Sequence, residues 1–316
     1  MQLTIYCGLW KKEKFDLVQF ATPNAAFCAS IAANKARVPV RVYGQWGIRY
    51  VGFNRIRRLI FKFVEKIACK MSTHVFVASK KNLEFGVAEK LYDQTKASVI
   101  GNGGTIGVDL ESFNLSMKKV WQKEIFDRHG FDKNDKILGF VGRITPDKGI
   151  NELLKSYKLI TEKQNNVKLL IIGAMDVTEG VDKDLFDWAQ SNDSIVFTGR
   201  VNKSDLPKYY AALDVLVHPT YREGFGMVIQ EAGAMAVPVI TTDIPGASEV
   251  MVDQESCMLV PVKNQSRLQE SIEELILSDN KRETLGTEAY NRTVKLFERN
   301  IMLKQQVEAY SALLER

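Results

Sequence analysis

Lys136-Ile-Leu-Gly-Phe-Val-Gly142 runs directly into Arg143-Ile-Thr-Pro-Asp-Lys-Gly149, and apolar residues then recur at helical spacing from Asn151 to Ile160. The first segment is a continuous apolar run of strand length. The second is a turn punctuated by glycine and proline, and the third is a helix with one apolar face. A strand that is apolar on both sides must be covered on both sides, which is the situation of a parallel sheet between helices. The alternation repeats downstream. Val167-Lys-Leu-Leu-Ile-Ile-Gly173, Ser194-Ile-Val-Phe-Thr-Gly199, Asp214-Val-Leu-Val-His218, Val237 to Thr241 and Ser256 to Val260 all read as further strands. The second half of the chain is therefore expected to be a doubly wound α/β domain, with ligands beyond the carboxyl ends of its strands.

The first half alternates as well. Phe15 to Phe20 reads as a strand, Asn24 to Asn34 as a helix, Val38 to Tyr43 as a strand and Asn54 to Cys69 as a long amphipathic helix. His74 to Ala78 and Ala97 to Ile100 are further strands, and Leu3 to Lys14 has the look of the end of a helix. Gly101-Asn-Gly-Gly-Thr-Ile-Gly-Val-Asp109 is a glycine-rich connection that reads as a hinge. The last helices run from about Arg267 to Arg316. These signals divide the chain into a partial N-terminal domain over 1–112, a C-terminal domain over 113–296, and a final helix over 297–316 that crosses back to the first domain.

Composition narrows the class. With 316 residues, 45% hydrophobic and 26% charged, the chain has the make-up of a soluble globular protein of about two domains. No apolar run approaches the ~20 residues a membrane span requires. The first residues lack the basic start and cleavage site of a secretory leader. Cys7, Cys28, Cys69 and Cys257 are scattered, with no CxxC, which suggests reduced thiols in a cytoplasmic protein. The net charge of +5 is unevenly spread. Residues 1–112 carry 17 Lys and Arg against 8 Asp and Glu, whereas residues 113–316 carry 26 against 30. The basic half is expected to meet an anionic partner or surface.

Two stretches carry chemistry. Glu223-Gly-Phe-Gly-Met-Val-Ile-Gln-Glu231 places two carboxylates around a Gly-Phe-Gly turn at the start of an apolar helix. Such a start offers backbone amides and a positive dipole end to an anion, while the carboxylates repel phosphate and suit hydroxyls. A site that takes both phosphate and hydroxyls is a nucleotide-sugar site. Arg143 and Lys148, after Gly142, can neutralise a diphosphate as it leaves. Each residue also has a plainer reading: Arg143 and Lys148 as a solvated loop, Glu231 as an exposed helical residue and Glu223 as a turn residue.

The set Phe140-Val-Gly-Arg-Ile-Thr-Pro-Asp-Lys-Gly149, His218-Pro-Thr-Tyr-Arg-Glu-Gly-Phe-Gly226 through Glu231, and Val237-Pro-Val-Ile-Thr-Thr-Asp-Ile-Pro-Gly-Ala-Ser-Glu249 resembles family 4 retaining glycosyltransferases of the GT-B fold. The nearest resemblance is to bacterial enzymes of capsule, exopolysaccharide and O-antigen assembly. It implies two Rossmann-like doubly wound domains facing a cleft. Arg143 and Lys148 would hold the donor diphosphate. Glu223, with the backbone at Phe225 and Gly226, would hold the sugar hydroxyls. The Met227 and Val228 amides would meet a phosphate, Glu231 the ribose hydroxyls, and Arg200 and Val201 the base. The donor would be a UDP- or GDP-linked sugar, with no metal and no separate cofactor. The acceptor would be a polyprenyl-diphosphate-linked or other saccharide, and no nucleic acid is expected. A same-fold epimerase lacks its acid/base set here, and a phosphorylase needs a much longer chain.

The chain departs from that pattern in two places. Family members carry about three more strands ahead of Asp16 to Phe20, so the N-terminal domain is expected to be incomplete. Trp46 stands where the family commonly has a histidine, leaving that role vacant or taken by Gln45. A catalytically silent or split-subunit nucleotide-sugar-binding remnant is the alternative these departures raise. His74, His129 and His218 read as structural, with His218 near the site by sequence. The helix from Asn54 to Cys69 has Ile56, Leu59, Ile60, Phe63 and Ile67 on one face, flanked by Arg55, Arg58, Lys62 and Lys66, with Phe61 off that face. Either the apolar face packs on the sheet, or the helix meets anionic lipid or a polyprenyl-diphosphate at the inner face of the membrane.

Overall fold

The computed structural model describes residues 2–52, 55–175 and 180–315. Its contacts divide the chain into two compact units, one of Met1–Ile106, Glu223–Phe225 and Asn300–Arg316, the other of Gly107–Arg222 and Gly226–Arg299. The boundary thus falls at Ile106/Gly107. Asn54 and Arg316, where two expected helix ends fall, lie outside the described residues.

In the first unit, β1 (Leu17–Ala21), β2 (Val40–Gln45), β3 (His74–Val77) and β4 (Ala97–Ser98) form a parallel sheet in that order. The strand expected to reach Ile100 is only two residues long. The helices are α1 (Gln2–Glu13), α2 (Pro23–Lys35), α3 (Arg55–Met71) and α4 (Lys80–Ala88). Pro23 opens α2, where its missing N–H is no loss. The Ser79 side chain caps α4 by accepting from the Asn82 amide at 3.2 Å. Small residues on α2, Ala26, Ala29, Ala32 and Ala33, are all buried.

The long amphipathic helix α3 lies the other way round from a packed amphipathic helix. Ile56, Leu59, Ile60 and Phe63 are 71%, 68%, 54% and 63% exposed. The buried residues are Glu65, Ala68 and Cys69, with Phe61 packed against the same core. These lie on nearly the opposite side of the helix, at 100° per residue, from the apolar stripe. A buried carboxylate is costly unless it is hydrogen-bonded. Here Glu65 Oε1 accepts from Tyr43 Oη at 2.8 Å and from Gln45 Nε2 at 2.6 Å. Burial holds the Glu65 carboxyl above its usual range despite those two donors.

The second unit contains α5 (Lys118–His129), β5 (Lys136–Val141), α6 (Ile150–Thr161), β6 (Val167–Ile172), α7 (Lys183–Gln190), β7 (Ile195–Gly199) and α8 (Leu206–Ala211). It continues through β8 (Val215–His218), α9 (Met227–Ala234), β9 (Val239–Thr242), β10 (Met258–Val260), α10 (Gln265–Leu277) and α11 (Asp279–Phe297). The last helix, α12 (Arg299–Leu314), begins at the unit boundary. All six strands are parallel, in the order β10-β9-β8-β5-β6-β7. Apart from the edge strand β7, where only Ile195 is buried, their residues are almost wholly buried, as the continuous apolar runs require. From β5 the chain winds outward through β6 and β7, and from β8 it winds the opposite way. The order therefore reverses between β5 and β8, and the crevice beyond their carboxyl ends is where such a sheet binds ligands.

Candidate functional site

The loops that leave β5 and β8 hold most of the residues singled out by sequence. Gly142, Arg143 and Lys148 follow β5, with Arg143 exposed and Lys148 half-buried. The two strands pair only at Leu138–Val215 and Gly139–Leu216, so their ends separate before the loops begin. The loops are then joined again by side chains and backbone. The Tyr221 amide donates to Asp147 O at 2.8 Å, and Thr220 Oγ1 to the same oxygen at 3.2 Å. Arg222 Nε donates to Asp147 Oδ2 at 3.0 Å, and Thr145 Oγ1 to Asp147 Oδ1 at 2.6 Å. Thr242 Oγ1, at the end of β9, donates to Thr220 O. Gly149 makes the close approach possible. Its φ is +74°, and a Cβ there would run into the Pro219 carbonyl.

Helix α9 starts at Gly226, whose carbonyl accepts from the Ile229 amide at 2.9 Å and the Gln230 amide at 3.2 Å. Met227 and Val228 therefore form its first turn, at the positive end of the helix. One turn on, Glu231 Oε2 accepts from Tyr210 Oη at 2.8 Å. Burial lifts the Glu231 carboxyl from 4.5 to about 6, against the Tyr210 hydrogen bond and the Lys203 charge. At the other end of α9, Lys118 Nζ donates to Met235 O at 2.7 Å and Ala236 O at 3.0 Å. Burial brings its ammonium down to about 8. Asp147 behaves in the opposite sense. Burial would raise it, but the Thr145 and Arg222 hydrogen bonds and the Arg222 and Arg143 charges hold it below the usual carboxylate range.

Not every expected site residue gathers at this point. Arg200 and Val201 follow β7 at the sheet edge, two strands away from β5. Glu223–Phe225 group by contacts with the first unit. There Asn82 Nδ2 donates to Gly224 O at 3.2 Å, and the buried Phe225 ring lies against Gly103 and Gly104. Those glycines have φ of +98° and +90°, and a Cβ on either would meet that ring. The glycine-rich segment read as a hinge thus forms a seat for Phe225. Glu223 Oε1 accepts from the Gly224 amide at 3.0 Å.

The two residues considered for the histidine position are both committed elsewhere. Gln45 is 1% exposed and bonded to Glu65 and to Tyr92 Oη, the latter at 2.8 Å. Trp46 packs in a cluster with Val42, Phe76, Ile100 and Tyr310. Gln45 is thus held in a buried network, one amide hydrogen given to Glu65 and its oxygen accepting from Tyr92. His218 ends β8, 1% exposed, with its carbonyl accepting from Thr241 Oγ1 at 2.9 Å. Sequence reading passed over Asp147, Arg222 and Tyr210. Asp147 and Arg222 each stand directly beside a residue that was chosen, and opposite charges in two loops predicted to converge were the available signal.

Among the described residues there is no cluster of three or more His, Cys, Asp or Glu able to hold a metal ion, and no helix long and apolar enough to cross a membrane.

The two parallel, helix-covered sheets define an α/β protein of the GT-B fold. Sucrose-phosphate synthase from Thermosynechococcus elongatus superimposes with a TM-score of 0.82 at 20% identity, covering 99% of this chain and 77% of that one. Anabaena HepE, in a crystal structure in complex with UDP, gives 0.81 at 20% identity, covering 98% and 82%. The sequence matches the family described as glycosyl transferases group 1 over residues 122–292. It is 33% identical over 307 residues to the capsular polysaccharide biosynthesis glycosyltransferase CapM of Staphylococcus aureus, across 97% of this chain and 79% of the relative. The chain belongs to the group 1 glycosyltransferases, a family of enzymes. It is also 29% identical over 243 residues to the UDP-Gal:alpha-D-GlcNAc-diphosphoundecaprenol alpha-1,3-galactosyltransferase of Escherichia coli, across 75% of this chain and 60% of that relative.

Proposed function

We propose that the chain is a retaining glycosyltransferase that moves a sugar from a UDP- or GDP-linked donor to a lipid-linked or saccharide acceptor in surface-polysaccharide assembly. The convergence of the β5 and β8 loops at the reversal point of the sheet carries this reading. One loop brings Arg143 and Lys148, and the other leads into the first turn of α9 and Glu231. Two cations and a helix start supply positive charge where a departing nucleoside diphosphate needs it. Gly142 gives the diphosphate backbone access, the Met227 and Val228 amides meet a phosphate, and Glu231 accepts from the ribose hydroxyls. Arg200 and Val201 flank the base. Glu223, with the backbone at Phe225 and Gly226, holds the sugar hydroxyls for attack from the face that the diphosphate leaves. The cations serve the leaving group directly, so no metal or cofactor has a step in this scheme. The lipid-linked acceptor is supported by the diphosphoundecaprenol named for the Escherichia coli relative.

The acceptor class agrees with α3. Its outward stripe of Ile56, Leu59, Ile60 and Phe63, flanked by Arg55, Arg58, Lys62 and Lys66, has the form of a helix lying in an anionic membrane surface. Lys62 is paired with Glu89 at 2.7 Å, so the apolar stripe carries more of the attachment than the count of cations suggests. We place the enzyme on the cytoplasmic face of the membrane, held there peripherally. A second reading, a silent nucleotide-sugar-binding remnant or subunit, is favoured by the commitment of Gln45 and Trp46 to packing.

Transfer of radiolabel from UDP- and GDP-linked sugars into butanol-extractable polyprenyl-diphosphate saccharides separates these readings. The enzyme reading expects transfer that Glu223→Ala abolishes. Donor binding without transfer or donor hydrolysis, to any such acceptor, points to the remnant. Full transfer by Glu223→Ala removes Glu223 from the site.

A further inference from the structure

Asp147 receives four hydrogen bonds from three neighbours in the other loop and one in its own. Its carbonyl takes the Tyr221 amide at 2.8 Å and Thr220 Oγ1 at 3.2 Å. Its carboxylate takes Thr145 Oγ1 at 2.6 Å on one oxygen and Arg222 Nε at 3.0 Å on the other. The strand ladder cannot supply this connection. Pairing between β5 and β8 ends at Gly139 and Leu216, and the chain then departs to opposite sides of the sheet, toward α6 and α9. The carboxylate also stays ionised well into acid, because the donors and the charges of Arg222 and Arg143 outweigh its burial. The charged form of the clasp is therefore the resting form.

The sequence position of each partner gives the clasp its consequence. Lys148 follows Asp147 directly, and Glu223 follows Arg222 directly. Arg222 itself is 38% exposed along its side chain and Asp147 28%. An ion pair that wet contributes little to folding. With the two bonds to the Asp147 carbonyl it stitches together loops that the strand ladder no longer joins, a stronger reason for its geometry than stability.

We propose that Asp147 and Arg222 are a positioning pair for the donor site, setting the register between the loop that carries Lys148 and the loop that leaves β8 toward α9. This rests on the donor-site reading above. The pair acts through the residues beside it and does not itself touch the nucleotide. Loss of either partner lets the loops slip, and a displacement of about 1 Å is enough to cost binding and rate severely.

Isothermal titration of UDP and GDP into wild type, Asp147→Asn, Arg222→Ala, Arg222→Lys and the Asp147→Asn/Arg222→Ala double variant tests this, with Lys148→Ala and Glu231→Ala as site controls. The expected result is that Asp147→Asn and Arg222→Ala each weaken the bound nucleotide about tenfold, and that the double variant is no weaker than the worse single, as expected of one shared interaction. Arg222→Lys restores part of the loss, and melting temperatures stay within about 4 °C of wild type because the pair is partly solvated. Wild-type affinity in Arg222→Ala and Asp147→Asn, with Lys148→Ala impaired, overturns the proposal while leaving the donor site standing. Losses that multiply in the double variant, or a loss confined to Arg222 variants, also overturn it, the latter identifying Arg222 as a direct ligand. If Lys148→Ala and Glu231→Ala bind like wild type, the donor-site reading itself fails and the positioning role falls with it.

Discussion

Replacing Glu231 by Gln should make the free protein more stable and the nucleotide complex weaker. In the folded chain burial moves the carboxyl from 4.5 to about 6. A carboxyl raised on folding contributes its stability fully below the unfolded value and loses it as pH climbs through the folded value. At pH 7 the ionised Glu231 therefore costs about 2 kcal/mol relative to a group with no shift. Gln keeps an acceptor for Tyr210 Oη, which sits at 2.8 Å from the carboxylate on a fully buried residue, and it removes the charge. The expected gain at pH 7 is on the order of 2 kcal/mol, or roughly 3 °C in melting temperature for a protein of this size. The gain should shrink as the pH is lowered from 6 to 4.5, where wild-type Glu231 is itself neutral. Glu231→Ala should gain much less, because it strands the buried Tyr210 hydroxyl at a cost of about 1–3 kcal/mol. Urea unfolding at pH 7 and pH 4.5, with titration of UDP on the same samples, measures both sides. A Gln variant that is destabilised at pH 7, or that binds UDP as tightly as wild type, would refute the assignment of a strained, ligand-facing carboxylate.

Three further outcomes are expected. Gly149→Ala should cost at least about 2 kcal/mol in urea unfolding, since the left-handed backbone alone costs about 1–2 kcal/mol and its φ of +74° is joined by the Pro219 carbonyl; a change under half that amount would remove the close approach from the account. Ile60→Asp with Phe63→Asp should abolish sedimentation with anionic liposomes and leave UDP titration unchanged, because both side chains face outward; equal sedimentation of the variant and wild type would sink the membrane role. Lys118, brought down to about 8 by burial, sheds its proton in the folded state before the unfolded chain does at about 10.4. Wild-type stability should therefore rise with pH between 8 and about 9.5, and this rise should be missing from Lys118→Met.

Periodicity made the second unit of the fold legible because its strands are apolar on both faces, as a helix-covered parallel sheet requires. The C-terminal ends of β5 and β8 followed from topology, and with them the place of Arg143, Lys148 and Glu231. What periodicity could not show is which face of α3 turns inward. The wheel gives a single apolar stripe, but burial went to Glu65, Ala68 and Cys69, and Tyr43 and Gln45 in β2, far off in sequence, make the buried carboxylate tolerable. The buried network around Gln45 was hidden for the same reason: its partners, Glu65 and Tyr92, are 20 and 47 residues away. The glycines at 103 and 104 signalled backbone freedom, yet their use as a seat for Phe225 depends on a residue more than a hundred positions downstream. Asp147 and Arg222 were individually unremarkable charges, and only the convergence of their loops makes them a pair.

The most direct test of the central claim is a thermal-shift panel of UDP, GDP and their glucose, galactose, N-acetylglucosamine and mannose conjugates on wild type and Lys148→Ala. A ligand present at a hundred times its dissociation constant stabilises by about 2.7 kcal/mol, a shift of several degrees that such a scan resolves. At least one nucleotide series is expected to raise the wild-type melting temperature, with little or no shift in Lys148→Ala. Wild-type melting that no nucleotide moves, or an equal shift in Lys148→Ala, would contradict a donor site built on the β5 and β8 loops.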